Sequence, residues 1–288
     1  MTEFDYVVLG ASGHIGSVVF TELRKIGASA LAVVHSQQEA DEIVAAGGDA
    51  SVVDICDADA LRVALASARR AFLLNPPADP KKDTDAVETR TAQSIAAALR
   101  GTSLQKVLVV STYGAQPGEK IGDLSVLFDF ERMIEVTSVP AAINRGAYYF
   151  TNLDPLLEPA REGTITSPFP PDLVLPMVSP IDLGKAAVER LTSPIEDIGI
   201  RYVEGPARYT FADVATAFSD VLGHAVLLKT IPETAIERNY KDLGFSRAAA
   251  NSFTRMTKTS IESPQLPESP IQGSVSLEDH ITQIASTK

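Results

Sequence analysis

Short apolar runs and amphipathic stretches alternate along the first half of the chain. Residues 6–9 are apolar throughout and lead directly into glycines at positions 10, 13 and 16. Behind them, residues 15–26 carry apolar side chains at helical spacing, and Gly27 is placed to stop that helix. The pattern then predicts a strand at 30–34, a helix at 37–46 ended by Gly47-Gly48, and a strand at 50–53. A helix at 60–68 follows, with Asp57 or Asp59 as its cap. A fourth strand at 71–74 is cut off by Pro76-Pro77, which lack the N–H a sheet needs. A long helix at 83–99, a strand at 106–110, a helix at 124–136 and a strand at 141–144 complete the series. Strands that are apolar on both faces and separated by helices imply a parallel sheet covered on both sides. Right-handed crossovers then give a doubly wound order, the Rossmann arrangement. The expected class is α/β.

The pattern changes after residue 150. Prolines cluster at 155, 159, 168, 170, 171, 176 and 180, and helical patches alternate with loops. Helices are expected at 181–191, with Ser179 and Asp182 at its start, and at 211–222, ended by Gly223. Short strands are expected at 201–203 and 226–230, and a proline-rich loop at 263–270. We therefore expect residues 1–150 to form the Rossmann domain. Residues 151–288 would form a smaller α+β substrate-side domain, with segments near 174–204 returning to the Rossmann sheet. No internal repeat or low-complexity tract is present.

Ligands of doubly wound sheets bind at the carboxyl ends of the strands. Gly10-Ala11-Ser12-Gly13-His14-Ile15-Gly16 sits at the first such end, between strand and helix. Glycine removes a Cβ where main chain approaches a diphosphate or where helix packs on strand. The helix N-terminus offers unpaired N–H groups and the positive end of its dipole. The alternative is a tight turn without a ligand. After the second strand, an acid would accept from the ribose 2′-hydroxyl of NAD. The chain has Val34-His35-Ser36-Gln37-Gln38 there, with no acid until Glu39 and no arginine. The NAD-type carboxylate is read as missing, and His35, Ser36 and Gln37 as able to bond a 2′-phosphate or as solvated loop residues. NADP(H) is favoured over NAD(H). Asp54 and Ile55 after the third strand suit adenine, or Asp54 caps the next turn. Asn75 and Pro76 end the fourth strand with a shape that lines a ribose. Ser111 ends the fifth.

Composition narrows the partners. The net charge of −12 argues against a nucleic-acid surface, which needs a Lys/Arg excess. No apolar run is long enough to cross a bilayer, so no membrane partner is expected. Met1-Thr2-Glu3-Phe4-Asp5 has no basic region before its apolar run and does not read as a signal peptide; the default expectation is cytoplasmic. The lone Cys56 excludes an internal disulfide framework and reads as a small packing residue. His14, His35, His224 and His280 fall at no metal-ligand spacing, and no metal is expected.

With these residues in hand, the chain resembles the NmrA-like atypical short-chain dehydrogenases, and within them the NAD(P)H:quinone oxidoreductase branch. The resemblance spans nearly the whole chain. Its most specific stretch is Glu131, Ser138-Val139-Pro140, Ile143-Asn144-Arg145-Gly146, Tyr149 and Asn152. The first-turn pattern matches residue by residue, and Gly205-Pro206, residues 211–222 and Val275-Ser276-Leu277-Glu278-Asp279 look like C-terminal landmarks. His35 stands where many NADP-using relatives place arginine.

The Tyr-x-x-x-Lys dyad of ordinary short-chain dehydrogenases, whose tyrosine donates a proton, is absent. None of the seven tyrosines has a lysine four residues later. Two classes of function stay open. One is direct hydride transfer from a nicotinamide to a quinone-like electron acceptor, whose reduced oxygens take protons from water. Tyr148, Tyr149 and Phe150 would wall the nicotinamide or pack between domains. Tyr113 would bond the acceptor, Asn152 would fix a loop or the carboxamide, and Arg145 would pair with Glu131 or Asp182. The other is a non-catalytic NAD(P)-binding redox sensor. No residue stands out as catalytic, and the sequence leaves open whether the protein is a homodimer.

Overall fold

The computed structural model describes residues 3–286; Met1 and Thr2, part of the segment read for a leader, lie outside the described residues. Six strands alternate with five helices at the start: β1 (Phe4–Leu9), α1 (His14–Lys25), β2 (Ala30–Val34), α2 (Gln37–Ala45), β3 (Asp49–Val52), α3 (Ala58–Ala66), β4 (Ala68–Leu73), α4 (Thr84–Leu99), β5 (Lys106–Thr112), α5 (Asp123–Glu135) and β6 (Ala141–Gly146). The second half contains β7 (Tyr148–Tyr149), a 3-10 turn at Phe150–Leu156, α6 (Leu157–Arg161), β8 (Thr164–Ser167), β9 (Leu175–Val178), α7 (Pro180–Thr192), β10 (Gly199–Glu204), β11 (Arg208–Tyr209), α8 (Phe211–Leu222), β12 (Leu227–Thr230), α9 (Ile236–Asp242), α10 (Arg247–Glu262), β13 (Ile271–Gln272) and α11 (Leu277–Ser286).

Eight strands form one sheet in the order β13-β10-β6-β5-β4-β1-β2-β3, and every pairing in it is parallel. The chain runs outward one way through β1, β2 and β3 and the other way from β4, so the reversal lies between β1 and β4. Two-residue periodicity divides the strands between two cores. Val7 and Leu9 join Val107 and Val109 in one, under α3, α4 and α5. Val8, Leu108 and Val110 join the other, under α1 and α7. Each fully buried Val, Leu or Phe contributes about 1.5–3 kcal/mol. A third core, with Phe150, Phe169, Phe211, Phe218, Leu277 and Ile281, forms beside the sheet. Small sheets β11-β9-β7 and β12-β8 accompany it.

Polar residues within three strands of the large sheet are partnered, and one of them, Arg70, carries β4 back past its expected start. Arg70 in β4 donates to the carbonyls of Leu191 and Ser193 at 2.6 and 2.7 Å. Lys106 in β5 is fully buried, yet its Nζ bonds Arg190 O, Ser193 Oγ and Pro194 O. Asn144 in β6 accepts from Arg190. These contacts fasten the end of α7 to the sheet, and β10 pairs with β6 from Gly199 to Val203. The helix α10 departs from the expected pattern. Its buried face is Ala249, Ala250, Ser252, Thr254 and Thr257, too small and polar to announce itself as an apolar stripe. Cys56 is another correction. It is exposed, with Sγ 3.9 Å from Thr91 Oγ1, because the turn after β3 carries it outside the core.

Candidate functional site

The turn between β1 and α1 is held from behind by its main chain. Gly10 N donates to Val33 O at 3.0 Å and Gly13 N to Gly10 O at 2.9 Å. Gly10 has φ +65°, a conformation that glycine adopts without strain. A Cβ at Gly16 would lie 2.1 Å from Gly10 O, and one at Gly13 would lie 3.3 Å from the same oxygen. Gly16 is thus a packing requirement, whereas Gly13 faces outward. Ser12, Gly13 and His14 are exposed, while Ile15 and Gly16 are buried. The helix begins without a side-chain cap and without an acid in its first turn. Its neighbours α2, α3 and α4 are capped by Ser36, Asp57 and Asp83. The first turn of α1 therefore presents main-chain donors and a positive dipole end to the outside. Such a turn suits a diphosphate.

At the end of β2 the first acid after the strand, Glu39, is engaged by the helix start. Ser36 and Glu39 form a capping box that folds the Glu39 side chain back over the strand end. Glu39 Oε2 accepts from His35 N at 3.3 Å, Ser36 N at 3.2 Å and Ser36 Oγ at 3.0 Å. It also lies 2.7 Å from His35 Nδ1. Desolvation opposes its charge. Hydrogen bonds from Ser12 and Ser36 and the neighbouring His35 nevertheless hold its carboxyl below the usual range. The sequence held the signal, since Ser-x-x-Glu is a capping-box spacing. Gln37 turns away, with Nε2 on Asp41.

The remaining strand ends bring the expected residues to the same edge. Asp54 is exposed and accepts from Cys56 N at 2.9 Å, as a turn residue does. Ile55 is half-buried against the core. Asn75 is buried, and its Nδ2 donates to Glu88 O at 3.1 Å. Pro76 stands half-buried beside it. Ser111 is fully buried. The Oδ1 of Asn75 and the Oγ of Ser111 have no hydrogen-bond partner among the described residues.

The substrate-side residues separate. The Tyr113 hydroxyl donates to Glu204 Oε2 at 3.1 Å, and Arg208 also binds that carboxylate. Burial and then the Glu204 charge push the phenol far above its ordinary range, so Tyr113 is engaged with protein. Tyr148 packs edge-on to Phe169 and Phe211. Tyr149 is half-buried near Gly146. Phe150 is wholly buried and stacks on His280 at 5.4 Å; its direction removes it from any aromatic wall. Asn152 is exposed in the 3-10 turn. Arg145 pairs with Glu131 through two bonds of 2.9 and 2.7 Å. Asp182 instead accepts from Ser274 N and Val275 N.

Beside Asn75, two carboxyls that the sequence reading left out come together. Burial first, and the Asp123 charge of α5 second, push the Glu88 carboxyl of α4 up to about 8, and burial also raises that of Asp123. They lie far apart in sequence, and neither carries a local motif.

Known proteins share this architecture. The profile of the NmrA-like family matches residues 5–279. The NAD(P)H azoreductase of Xenophilus azovorans is 24% identical over 252 residues, covering 87% of this chain and 85% of that one. The triphenylmethane reductase of Citrobacter sp., solved with NADP(H), superposes with a TM-score of 0.81 at 17% identity, covering 98% of this chain and 100% of its own. The NADPH-dependent quinone oxidoreductase of Escherichia coli, solved with NADPH, gives 0.81 at 17% identity with the same coverage. No helix among the described residues is long and apolar enough to cross a membrane.

Proposed function

The chain belongs to the NmrA-like family, and from that premise we propose that it is an NAD(P)H-dependent reductase delivering hydride to a quinone-like conjugated acceptor. The observation that carries the reading is the open, uncapped start of α1 behind the glycine turn. The azoreductase, quinone oxidoreductase and triphenylmethane reductase relatives, all named for reduction of small molecules, support it.

In this reading the main chain of residues 12–15 holds the diphosphate. His35 and Ser36 face the adenosine 2′ position, and Asp54 and Ile55 the adenine. Asn75, Pro76 and Ser111 border the nicotinamide end, with their orphaned Oδ1 and Oγ as candidate partners for its polar groups. The two NADP(H)-bound relatives favour NADP(H) over NAD(H). The bound dinucleotide supplies the hydride. The protein supplies orientation and exclusion of water, with Tyr148 and Tyr149 on the acceptor side and Asn152 at its rim. Tyr113 serves as a wall rather than as a hydrogen-bond donor to the acceptor, because Glu204 already holds its hydroxyl.

The test is to mix the protein with NADPH or NADH and a panel of small quinones and to follow nicotinamide absorbance. Oxidation above the uncatalysed rate is expected. Tight cofactor binding without any oxidation would replace the enzyme with a redox sensor.

A further inference from the structure

We propose that His35, backed by Glu39, makes the choice of dinucleotide depend on pH: the protonated ring takes the 2′-phosphate of NADP(H), and the neutral ring takes the 2′-hydroxyl of NAD(H). The inference rests on the placement of the dinucleotide proposed for this chain and adds a control to it.

The main chain sets His35 beside the glycine turn. Leu9 of β1 is in register with Val33 of β2, and Gly10 N donates to Val33 O. His35 is the first residue past β2, at the strand-end crevice where an adenosine ribose follows the diphosphate. One side of the ring is occupied. The capping box folds Glu39 back over the strand end, and its Oε2 lies 2.7 Å from His35 Nδ1. The same oxygen accepts from the main-chain N–H groups of His35 and Ser36, which anchor it. The His35 side chain is nevertheless 83% exposed, so Glu39 backs the ring and the rest of it is open to a ligand.

That contact decides what the ring offers. An unprotonated nitrogen does not approach a carboxylate oxygen so closely, because two lone pairs would meet; Nδ1 therefore carries the proton. In the neutral ring Nε2 is then an acceptor, and it has no protein partner among the described residues. An acceptor suits a 2′-hydroxyl, which donates, and repels the oxygens of a 2′-phosphate. A proton on Nε2 reverses the preference. The ring becomes a cation with a donor on its open side, and the phosphate receives a charge-assisted hydrogen bond. The Glu39 carboxylate opposes a phosphate while the ring is neutral, and the imidazolium offsets it once formed. Burial opposes the charge of Glu39, but hydrogen bonds from Ser12 and Ser36 and the neighbouring His35 hold its carboxyl below the ordinary range. It therefore stays charged while an imidazole titrates.

The other groups at this strand end do not duplicate the switch. From β3, in register with β2 through Val52 and Val34, comes Asp54, whose Oδ1 accepts from Cys56 N. On α2, Gln37 bonds Asp41. Among the described residues, no Lys or Arg forms an ion pair with Glu39, Asp41 or Asp54. From the glycine turn come Ser12 and His14, both exposed. His14 opens α1 beside the proposed diphosphate, which both dinucleotides carry, so its titration cancels from their ratio.

Calorimetric titration of the protein with NADP⁺ and with NAD⁺, between about pH 8 and about pH 6, tests the proposal. The affinity ratio of NADP⁺ to NAD⁺ should rise about tenfold on acidification. Protonation of the 2′-phosphate itself, near pH about 6, works against that rise, so the protein must supply it. Binding of NADP⁺ at neutral pH should also take up more protons than binding of NAD⁺, as read from heats in buffers of different ionisation enthalpy. His35→Asn, a change at an exposed side chain, should remove both the rise and the extra uptake. Glu39→Gln keeps a side chain that serves a capping box and frees the neutral ring to turn its proton outward; it should raise the ratio at the alkaline end and shrink the span. A wild-type ratio flat in pH, or the same rise in His35→Asn, would overturn the proposal and leave the dinucleotide placement standing. Failure of both dinucleotides to bind at any pH would overturn the placement and the proposal with it.

Discussion

Gly13 and Gly16 occupy one turn but answer to different constraints. Gly16 cannot carry a Cβ without striking Gly10 O, whereas Gly13 has an ordinary extended backbone and an outward face. Gly13→Val should therefore leave the protein folded, at a cost of about 1 kcal/mol for the poorer N-cap, and abolish cofactor binding, as read by calorimetric titration. Strong binding by the folded variant would move the diphosphate elsewhere. At the end of β2, the Glu39 carboxylate lies against His35 and Ser36, where a 2′-phosphate would bring like charge. Glu39→Gln should raise NADPH affinity relative to NADH by about tenfold, or 1.4 kcal/mol. Equal affinity ratios in the two proteins would show that the 2′ position is not near Glu39. The glycine turn was legible because its function is written in consecutive residues. The role of Glu39 was missed because the strand end was scanned only to its nearest residues, while a side chain three positions inside a helix reaches back to cap it.

At the level of elements, the dinucleotide helix depends on its crossing with α7. A Cβ on Gly184 of α7 would stand 2.7 Å from Val18 Cβ on α1. Gly184→Ala should push the helices apart, cost about 1–3 kcal/mol in chemical denaturation, and weaken cofactor binding through displacement of the α1 turn. A variant as stable as wild type would mean the helices part freely. The parallel sheet was readable because every strand from β1 to β6 except the edge strand β3 has an apolar run, and the helices from α1 to α4 have boundary signals. Residues 211–222 were readable for the same reason: a capping box at Thr210 and a left-handed Gly223 bound that helix. What stayed hidden depends on distant partners. The polar start of β4 joins the sheet because Arg70 finds the carbonyls of Leu191 and Ser193 at the end of α7. The helix α10 buries small polar residues, and its Ser252 finds its partners on α4 and before α5.

Across the whole molecule, the C-terminal segment returns to the sheet through one carboxylate. Asp182, 5% exposed on α7, accepts from Ser274 N at 3.0 Å and Val275 N at 2.8 Å. Just before them β13 pairs with β10, and just after them α11 enters the third core. His280 of α11 also bonds Asp154 at 2.7 Å, so the sheet and the third core are joined at several points. Asp182→Ala should lose about 2–3 kcal/mol in denaturant unfolding and loosen protection of the amides of residues 274–286 in hydrogen exchange. The large distances in sequence between these partners explain why only the landmark at 275–279, and not its attachment, was legible.

The central claim is that the open end of α1 receives a diphosphate at the edge of the doubly wound sheet. A crystal structure determined with NADPH tests it most directly. The account predicts phosphate oxygens within hydrogen-bonding distance of the main-chain amides between residues 12 and 15, with the nicotinamide directed toward Asn75 and Ser111. A dinucleotide seated elsewhere, with the glycine turn closed by protein side chains, would contradict it.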